Sequence, residues 1–219
     1  MKERPRHREG AKRVSPLAPA SVSFGVAYGV LAVTAGMGVV APIVMSATTF
    51  AGAAQFAAAS VLRDGGSVLA AVGAAVLLNA RYLAISVSVA PAFGGSHLRR
   101  LLEGQLIVDE SWAVAQIDRG RIDRRLLVGA GLLLFPCWVG GTVLGVFGGD
   151  ALGDPRRLGL DAAFPALFLG LLATLLVSRR ALVAALLGGL TALVLIPLTP
   201  AGVPVIAASA VSLLGLARR

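Results

Sequence analysis

An arginine stands in the middle of a long apolar stretch. Arg81, within the run NARYL, follows 14 uncharged residues counted from Ser67 and precedes 15 more, up to His97. A guanidinium keeps its charge at physiological pH, so in apolar surroundings it needs a carboxylate or an anionic ligand. Asn79 and Tyr82 add polar groups beside it. The pattern favours either recognition of a substrate's anionic group or a structural ion pair.

A second polar segment, residues 98–118, contains acids that could meet this arginine. Asp109 and Glu110 are adjacent within it, and Glu103 precedes them. Carboxylates inside a bilayer are costly unless they line water or have a partner. Asp109 or Glu110 could therefore pair with Arg81, bind a substrate's ammonium group or carry a coupling proton.

A third polar position lies in an otherwise apolar run. Ser46 and Gln55 flank the small-residue stretch of the run FAGAAQF. A buried amide must find a hydrogen-bond partner. Two interpretations stay open: a hydrogen bond between helices, or contact with a substrate or ion. In the second, the Ala- and Phe-rich surroundings would form a pocket for an apolar side chain.

Glycines spaced four apart mark faces where helices could pack closely. Gly25 and Gly29 form such a pair in the first apolar run, and Gly141 and Gly145 form another in a later run. Gly52 lies among small residues near Gln55. Small residues at these spacings let helix backbones approach each other in membranes. These five glycines are predicted to serve helix packing.

The composition defines the elements that must carry these residues. The 219 residues are 57% hydrophobic and 14% charged, with a net charge of +9 and a mean hydropathy of +0.83. Soluble domains carry about 25% charged residues, so an ordinary soluble enzyme and a disordered chain are both excluded. The basic residues form short clusters between apolar runs, which is typical of membrane topology signals and not of a nucleic-acid-binding face. No segment alternates like a barrel strand, so the spans must be helices.

The sequence predicts an all-α, polytopic helical bundle with about eight membrane elements (range six to eight), broken or re-entrant segments among them. The predicted elements are residues 17–36, 41–62, 67–93, 98–118, 126–149, 162–178, 181–197 and 202–217. Residues 98–118 are counted as crossing because 15 basic residues then lie on the side of the N-terminus and four on the other. This predicts a cytoplasmic N-terminus. Residues 1–13 would form a basic, disordered tail near membrane lipid, and residues 14–217 one transmembrane domain.

Nothing in the sequence indicates an enzyme or a metal site. Metalloprotease, nucleophile-elbow and nucleotide-binding-loop motifs are absent. Cys137 is the only cysteine, and His7 and His97 lie too far apart in sequence to suggest a shared metal. We therefore predict no cofactor, and any transport would be driven by an ion or solute gradient.

Five stretches together resemble a known family. FGVAYG, FAGAAQFA, NARYL, VDES and GDPRRLGLDAAFPALF occur in order over about residues 15–180, and they resemble the AzlC family of branched-chain amino acid exporters. The resemblance implies a bacterial cytoplasmic (inner) membrane protein that exports valine, leucine, isoleucine and related amino acids such as methionine. It also implies a small AzlD-type membrane subunit as partner.

Together these features predict a secondary transporter subunit for amino acid efflux. Arg81 would bind the substrate carboxylate, Asp109 or Glu110 would bind its ammonium group or a proton, and the surroundings of Gln55 would hold its side chain. Two alternatives remain open. One is a non-transporting scaffold or assembly subunit whose polar residues form structural ion pairs, and the other is a carrier of another small solute.

Overall fold

The structure is a computed structural model that describes residues 6–117, 121–152, 178–199 and 203–214, with positions 169, 172, 173 and 176. Its helices are α1 Arg6–Val14, α2 Ala18–Thr34, α3 Val40–Thr49, α4 Gly52–Arg63, α5 Val68–Asn79, α6 Arg81–Val89, α7 His97–Gly104, α8 Asp109–Ala115, α9 Arg124–Leu152, α10 Arg179–Leu195 and α11 Val203–Leu214. Two 3₁₀ turns, Ser15–Leu17 and Ala90–Ala92, continue helices, and β1 Gln116–Ile117 pairs antiparallel with β2 Arg121–Ile122. The helical fold class predicted from the sequence is confirmed for the described residues.

Three helical stretches are long and apolar enough to cross a membrane within the described residues. They are Arg6–Thr34 (the first span), Val68–Ala92 (the second) and Arg124–Gly149 (the third). At 1.5 Å per residue even the second is about 37 Å long, which exceeds a hydrocarbon core of about 30 Å. The protein is therefore a helical membrane protein. The number of eight membrane elements is not confirmed, and the predicted element 162–178 lies mostly outside the described residues.

The first and third spans pack in parallel through facing glycines. A Cβ built on Gly25 would lie 2.5 Å from the Trp138 carbonyl oxygen, and one on Gly141 would overlap the Val22 backbone. The same reciprocal contact recurs one turn later between Gly29 and Gly145. Backbones this close leave no room for any side chain. Four of the five sequence-predicted glycines therefore lie at this helix contact, whereas Gly52 faces the Trp138 side chain.

The N-terminal segment differs from its sequence-based expectation. Residues 6–13 are not disordered but belong to α1, which continues into the first span. Gly10 faces Gly129 of α9 in the same close contact as the glycines above. Arg6 also pairs with Asp123, and Val14 is fully buried. Packing against α9 stabilises a helix whose charged composition alone would not fold, because amphipathic contact outweighs intrinsic propensity.

Residues 40–63 form a helical hairpin (hairpin 1) and not the predicted crossing helix. The chain breaks between α3 and α4 at Phe50, whose φ of 42° is left-handed. This tip lies beside the middle of α9, where the Phe50 and Phe135 rings are 5.2 Å apart. At the far end of α4, Leu62 lines the same groove as Met37, which follows the first span. Both ends of hairpin 1 thus lie where the first span ends.

The second span runs opposite to the other two. It begins at Val68, beside Met37 in that groove. It ends near the start of α9, where Val89 packs with Leu126 and the guanidinium of Arg124 lies 6.0 Å from the Phe93 ring centre. Within the described residues between the parallel first and third spans, the chain therefore crosses the membrane once, through the second span. The prediction that residues 41–62 cross as a helix is wrong: the segment is re-entrant.

Residues 97–117 form a second re-entrant hairpin (hairpin 2), from the opposite end. Glu103 in α7 pairs with Arg124, whose hydrogen bonds hold the pKa of Glu103 below its usual value. At the other arm, the Ala115 carbonyl accepts a 2.9 Å hydrogen bond from Asp123 N. The tip reaches Gly131, a position with no room for a Cβ beside Leu106. The prediction that residues 98–118 cross is therefore corrected as well.

The two hairpins meet at their tips. The Gln105 side-chain amide donates a 3.1 Å hydrogen bond to the Ala47 carbonyl. Irregular backbone at membrane depth is tolerated where protein buries it, and here each tip is covered by the other and by α9. The outward faces of the spans are apolar, with Leu69 82% and Val87 75% exposed. This surface would contact lipid or another membrane protein.

Candidate functional site

A cavity of about 220 Å³ lies halfway along all three spans, where the hairpin tips converge. The first span contributes Leu17, Ala20, Ser21 and Phe24, hairpin 1 contributes Phe50, Gly52 and Ala53, the second span contributes Arg81 and Tyr82, hairpin 2 contributes Val108, Asp109 and Glu110, and α9 contributes Leu134 and Trp138. Each of the three spans and both hairpins therefore contributes to the wall of this cavity. Sites at mid-membrane, built by discontinuous helices, are characteristic of secondary transporters.

One end of the cavity is charged. Arg81 Nη2 lies 2.8 Å from Asp109 Oδ2, and each of the two side chains is 33% exposed. The Arg81 guanidinium also lies 5.3 Å from the centre of the Tyr82 ring. Arg81 Nε has no hydrogen-bond partner among the described residues. Glu110 lines the cavity beside this pair and forms no ion pair within the described part of the chain.

Local backbone explains why these charges converge. At Ala80 the helix tightens, since Ala80 N donates to the Leu77 carbonyl and Leu83 N donates to the Ala80 carbonyl. Arg81 therefore begins a new helical segment at the cavity. Asp109 and Glu110 occupy the first turn of α8, where the free N–H groups of a helix start favour carboxylates. The break between α7 and α8 turns these acids toward Arg81.

The other walls are apolar. Phe24, Leu134 and Trp138 line them, and the tip of hairpin 1 adds Phe50 and Gly52. The cavity is smaller than the roughly 300–1,000 Å³ sites that hold drug-sized ligands. A small molecule with charged groups at one end and an aliphatic body at the other would match this distribution.

Gln55 and Ser46 lie outside the cavity, in a closed ring of hydrogen bonds. Trp138 Nε1 donates to Gln55 Oε1 (3.1 Å), and Gln55 Nε2 donates to Ser46 Oγ (2.8 Å). Ser46 then donates to Thr142 Oγ1 (2.8 Å), which donates to the Trp138 carbonyl (3.0 Å). The indole N–H can only donate, which orients the Gln55 amide, and the Trp138 carbonyl can only accept, so the Thr142 hydrogen is used there and Ser46 is the donor to Thr142. The helix–helix interpretation of Gln55 is the one found here.

Asn79 also lies away from the charged end. It lines a separate, mostly apolar groove of about 600 Å³ between hairpin 1 and the second span. Its Oδ1 is buried without a hydrogen-bond partner among the described residues. The structure therefore brings together Arg81, Asp109, Glu110 and Tyr82, and it separates Asn79, Gln55 and Ser46 from them.

Sequence reasoning missed Trp138, which contacts both the cavity and the Gln55 ring. The signal was present, because tryptophans of membrane proteins concentrate at the interfaces, whereas Trp138 is central in a charge-free run. An indole N–H at that depth requires an acceptor, and Gln55 provides one. Metal ligation has no support in the described part of the chain, where His, Cys, Asp and Glu form no cluster of three.

These observations define the class of protein: an integral membrane protein whose described residues contain three apolar spans, two re-entrant hairpins and a charged cavity at mid-depth. The sequence profile described as AzlC protein matches residues 16–152, which contain the three spans and both hairpins almost completely. The chain belongs to the AzlC family. The resemblance seen in its motifs is thereby confirmed.

Three relatives show what the chain is similar to. An uncharacterized membrane protein of Archaeoglobus fulgidus is 33% identical over 204 residues, covering 92% of this chain and 90% of the relative. The branched-chain amino acid transport protein AzlC of Bacillus subtilis is 28% identical over 162 residues, covering 70% and 61%. The inner membrane protein YgaZ of Escherichia coli is 27% identical over 202 residues, covering 85% and 81%. No solved structure matches the chain.

Proposed function

We propose that this chain is a secondary transporter subunit that exports branched-chain amino acids: valine, leucine, isoleucine and the related methionine. The observation that carries the proposal is the cavity in which Arg81 and Asp109 form one end and aromatic and aliphatic side chains form the rest. A free amino acid with an aliphatic side chain carries both charges at one end and apolar surface at the other. The name of the Bacillus subtilis relative supports the same substrate class.

Substrate binding would exchange partners within the charged end. The substrate carboxylate would accept hydrogen bonds from Arg81, which has an unused donor at Nε and a planar fork suited to carboxylates. The ammonium group would bind Asp109, which the substrate carboxylate displaces from Arg81. The aliphatic side chain would enter the apolar end, where each buried methylene contributes about 0.8 kcal/mol. The net charge of the site stays constant, so neither partner is left unpaired.

The hairpins supply a route for access from both sides. Hairpin 1 enters from the end where the first span finishes, and hairpin 2 enters from the end where it starts. Displacing either tip would open the cavity toward one face only, as alternating access requires. Glu110, beside the Arg81–Asp109 pair, is the group we assign to the coupling proton, since export needs a gradient to drive it.

Export assays in cells test this function directly. Cells that lack their own branched-chain exporters would be loaded with leucine by feeding a leucine-containing dipeptide, and external leucine would be followed over time. We expect faster efflux of leucine, isoleucine and valine when the chain is expressed, and unchanged efflux of aspartate or lysine. Equal efflux of leucine with and without the chain, at verified membrane levels, would remove the proposal.

We propose further that the N-terminus is cytoplasmic. In residues 6–117 and 121–152, nine basic residues lie at the end of the bundle where the first span begins: Arg6, Arg8, Lys12, Arg13, Arg99, Arg100, Arg121, Arg124 and Arg125. Arg63 lies at the other end, and Arg81 lies between them. The positive-inside rule then assigns the crowded end to the cytoplasm. With both hairpins re-entrant, Arg99 and Arg100 join that end and Arg63 leaves it, which sharpens the asymmetry.

Cysteine labelling checks both the orientation and the re-entrant hairpin. In a Cys137→Ser background, Val39→Cys and Asp64→Cys flank hairpin 1, and Gly94→Cys lies beyond the second span. An impermeant maleimide added to intact cells is expected to label positions 39 and 64 and to spare position 94, with the reverse in inverted vesicles. Opposite accessibility of positions 39 and 64 would mean that residues 40–63 cross the membrane after all.

A small AzlD-type membrane subunit is proposed as the partner, and the inner membrane of a bacterium as the location. Support comes from the family resemblance and from the exposed apolar faces described above, which a membrane partner could cover. Coexpression with an AzlD-type subunit is expected to raise leucine efflux and to allow copurification in mild detergent. Full efflux by this chain alone would argue against an obligatory partner.

A further inference from the structure

The tryptophan at the apolar end of the cavity is held by hydrogen bonds at both its indole and its backbone. Trp138 Nε1 donates to Gln55 (3.1 Å), and the Trp138 carbonyl accepts from Thr142 (3.0 Å). The ring stacks with Tyr28 at a centroid distance of 6.3 Å and lies edge-on to Phe56 at 5.9 Å. Trp138 is only 7% exposed. A side chain held by this many contacts is rigid, so the indole forms a fixed wall of the cavity.

Hairpin 1 holds that wall from the other side. A Cβ on Gly52 would lie 2.8 Å from Trp138 Cη2, so the hairpin tip and the indole are already in contact. Gln55, Ser46 and Thr142 are fully buried, and their hydrogen bonds join α3, α4 and α9. The indole therefore cannot move aside when a ligand approaches, because the hairpin backbone occupies one side of the ring and aromatic rings occupy the others.

We infer that Trp138 sets the upper limit on the size of the substrate side chain and that Gln55 acts as its positioning residue. This rests on the proposed function, since the cavity is taken as the amino acid site. Charges at the Arg81 end would orient every amino acid in the same way, so the side chain must point toward the apolar walls that include Trp138. Aliphatic side chains fit there, and an aromatic side chain would collide with a rigid indole.

Substrate spectra of Trp138 variants test the inference. Cells would be loaded with leucine or phenylalanine from dipeptides, and both effluxes would be measured. Trp138→Ala is expected to raise phenylalanine efflux at least about tenfold over the original chain, because shape rejection by a hydrophobic wall amounts to roughly 10–200-fold. Leucine efflux is expected to fall, because its side chain loses contact with the indole, so the ratio of phenylalanine to leucine efflux rises further. Trp138→Phe should give a smaller rise in the same direction, and it covers the case in which the alanine variant does not fold.

Gln55→Leu separates positioning from general stability. It removes the acceptor of the indole N–H while leaving the wall in place, so we expect the leucine KM to rise and phenylalanine to gain entry, with less change in maximal leucine efflux. Trp112→Ala is the matched control: its indole also donates a hydrogen bond, to Ser88 (2.9 Å), but the residue does not line the cavity. That variant should keep the original spectrum.

The outcomes distinguish failure of this inference from failure of the proposed transport function. If the original chain exports no leucine, the proposed function itself fails. If it exports leucine but Trp138→Ala and Trp138→Phe both reach the membrane and keep rejecting phenylalanine, the size limit lies elsewhere and the inference is overturned. A spectrum that widens equally in Trp112→Ala would also overturn it, since loosened packing anywhere would then be sufficient.

Discussion

Replacing Arg81 by glutamine is expected to lower leucine efflux at least about 30-fold, the effect of losing about 2 kcal/mol, the lower end of the range for removing one partner of a buried charge pair, because this pair is partly exposed. Asp109 would be left without its 2.8 Å partner, and the substrate carboxylate would lose its guanidinium. Asp109→Asn is expected to have a similar effect from the other side of the pair. Both would be measured by dipeptide-loaded efflux, normalised to protein in the membrane.

Controls decide whether a loss of efflux is specific. Arg63→Gln also breaks an arginine–aspartate pair, with Asp64 at 3.3 Å, but that pair is exposed at the bundle surface. It should leave efflux unchanged. Arg81→Lys keeps the charge and loses the planar fork, so intermediate efflux is expected. Normal efflux in both Arg81→Gln and Asp109→Asn would rule out a role for the pair in transport.

A charge-swapped variant separates transport from scaffolding. Arg81→Asp combined with Asp109→Arg retains the opposite charges but places the guanidinium on hairpin 2. If the pair binds substrate, the protein should fold and efflux should stay low, because the carboxylate and ammonium groups would meet the wrong charges. Full recovery of efflux would favour the plainer structural role of the pair.

Enlarging the facing glycines is expected to have the largest effect on folding. Gly141→Ala and Gly145→Ala would drive a methyl group into the backbone of the first span at Val22 and Val26, and backbone cannot move aside as a flexible side chain would. We expect each to destabilise the protein by about 1–3 kcal/mol, the range for overpacking. Leucine at both positions should prevent folding. Thermal unfolding in detergent measures the effect.

Neighbouring glycines of the same helix offer matched controls. A Cβ on Gly140 or Gly148 would meet nothing within 4 Å, so alanine there should be neutral or stabilising by up to about 1 kcal/mol through helix propensity. Unfolding temperatures that fall equally for Gly140→Ala and Gly141→Ala would show that the first and third spans do not pack through this face.

The glycine contacts could be predicted from spacing, because close packing of membrane helices depends on a local pattern of small residues. The encounter of Arg81 with an acid from residues 98–118 could also be foreseen, since a charge at mid-depth must be neutralised. What spacing could not decide was whether Asp109 or Glu110 would be the partner. That choice depends on where α8 begins, and hydropathy does not report helix starts.

Chain reversal was the main feature that hydropathy could not reveal. Residues 41–62 are apolar enough to cross, and hydropathy alone does not distinguish a hairpin buried against α9 from a crossing helix. Phe50 in a left-handed conformation ends α3, although phenylalanine is not a residue that signals such a turn. Residues 41–62 and 98–118 were therefore each counted as a crossing where the chain turns back. Because two crossings were added, residue 124 was still assigned to the same side of the membrane as the N-terminus. The predicted side of the third span was unaffected.

The N-terminal helix shows a different limit. Residues 6–13 look like a solvated tail because five of the eight are charged, yet Gly10 and Val14 place an uncharged edge against α9. That edge is only recognisable once Gly129 is known to face it. The contact between α1 and α9 depends on tertiary structure, and no local pattern in residues 6–13 indicates it.

Protection of a cysteine in the cavity by substrate tests the account most directly. Ser21 lines the cavity and Asp64 is exposed at the end of hairpin 1, so Ser21→Cys and Asp64→Cys in a Cys137→Ser background give the test position and its water-accessible control. With leucine at ten times its Kd, labelling of position 21 by a small thiol reagent should slow roughly tenfold. Labelling at position 64 should be unaffected, and leucinamide and isovalerate, each lacking one charge, should not protect position 21. If leucine leaves the rate at position 21 unchanged while the same variant still exports it, the substrate binds elsewhere and the central claim is contradicted.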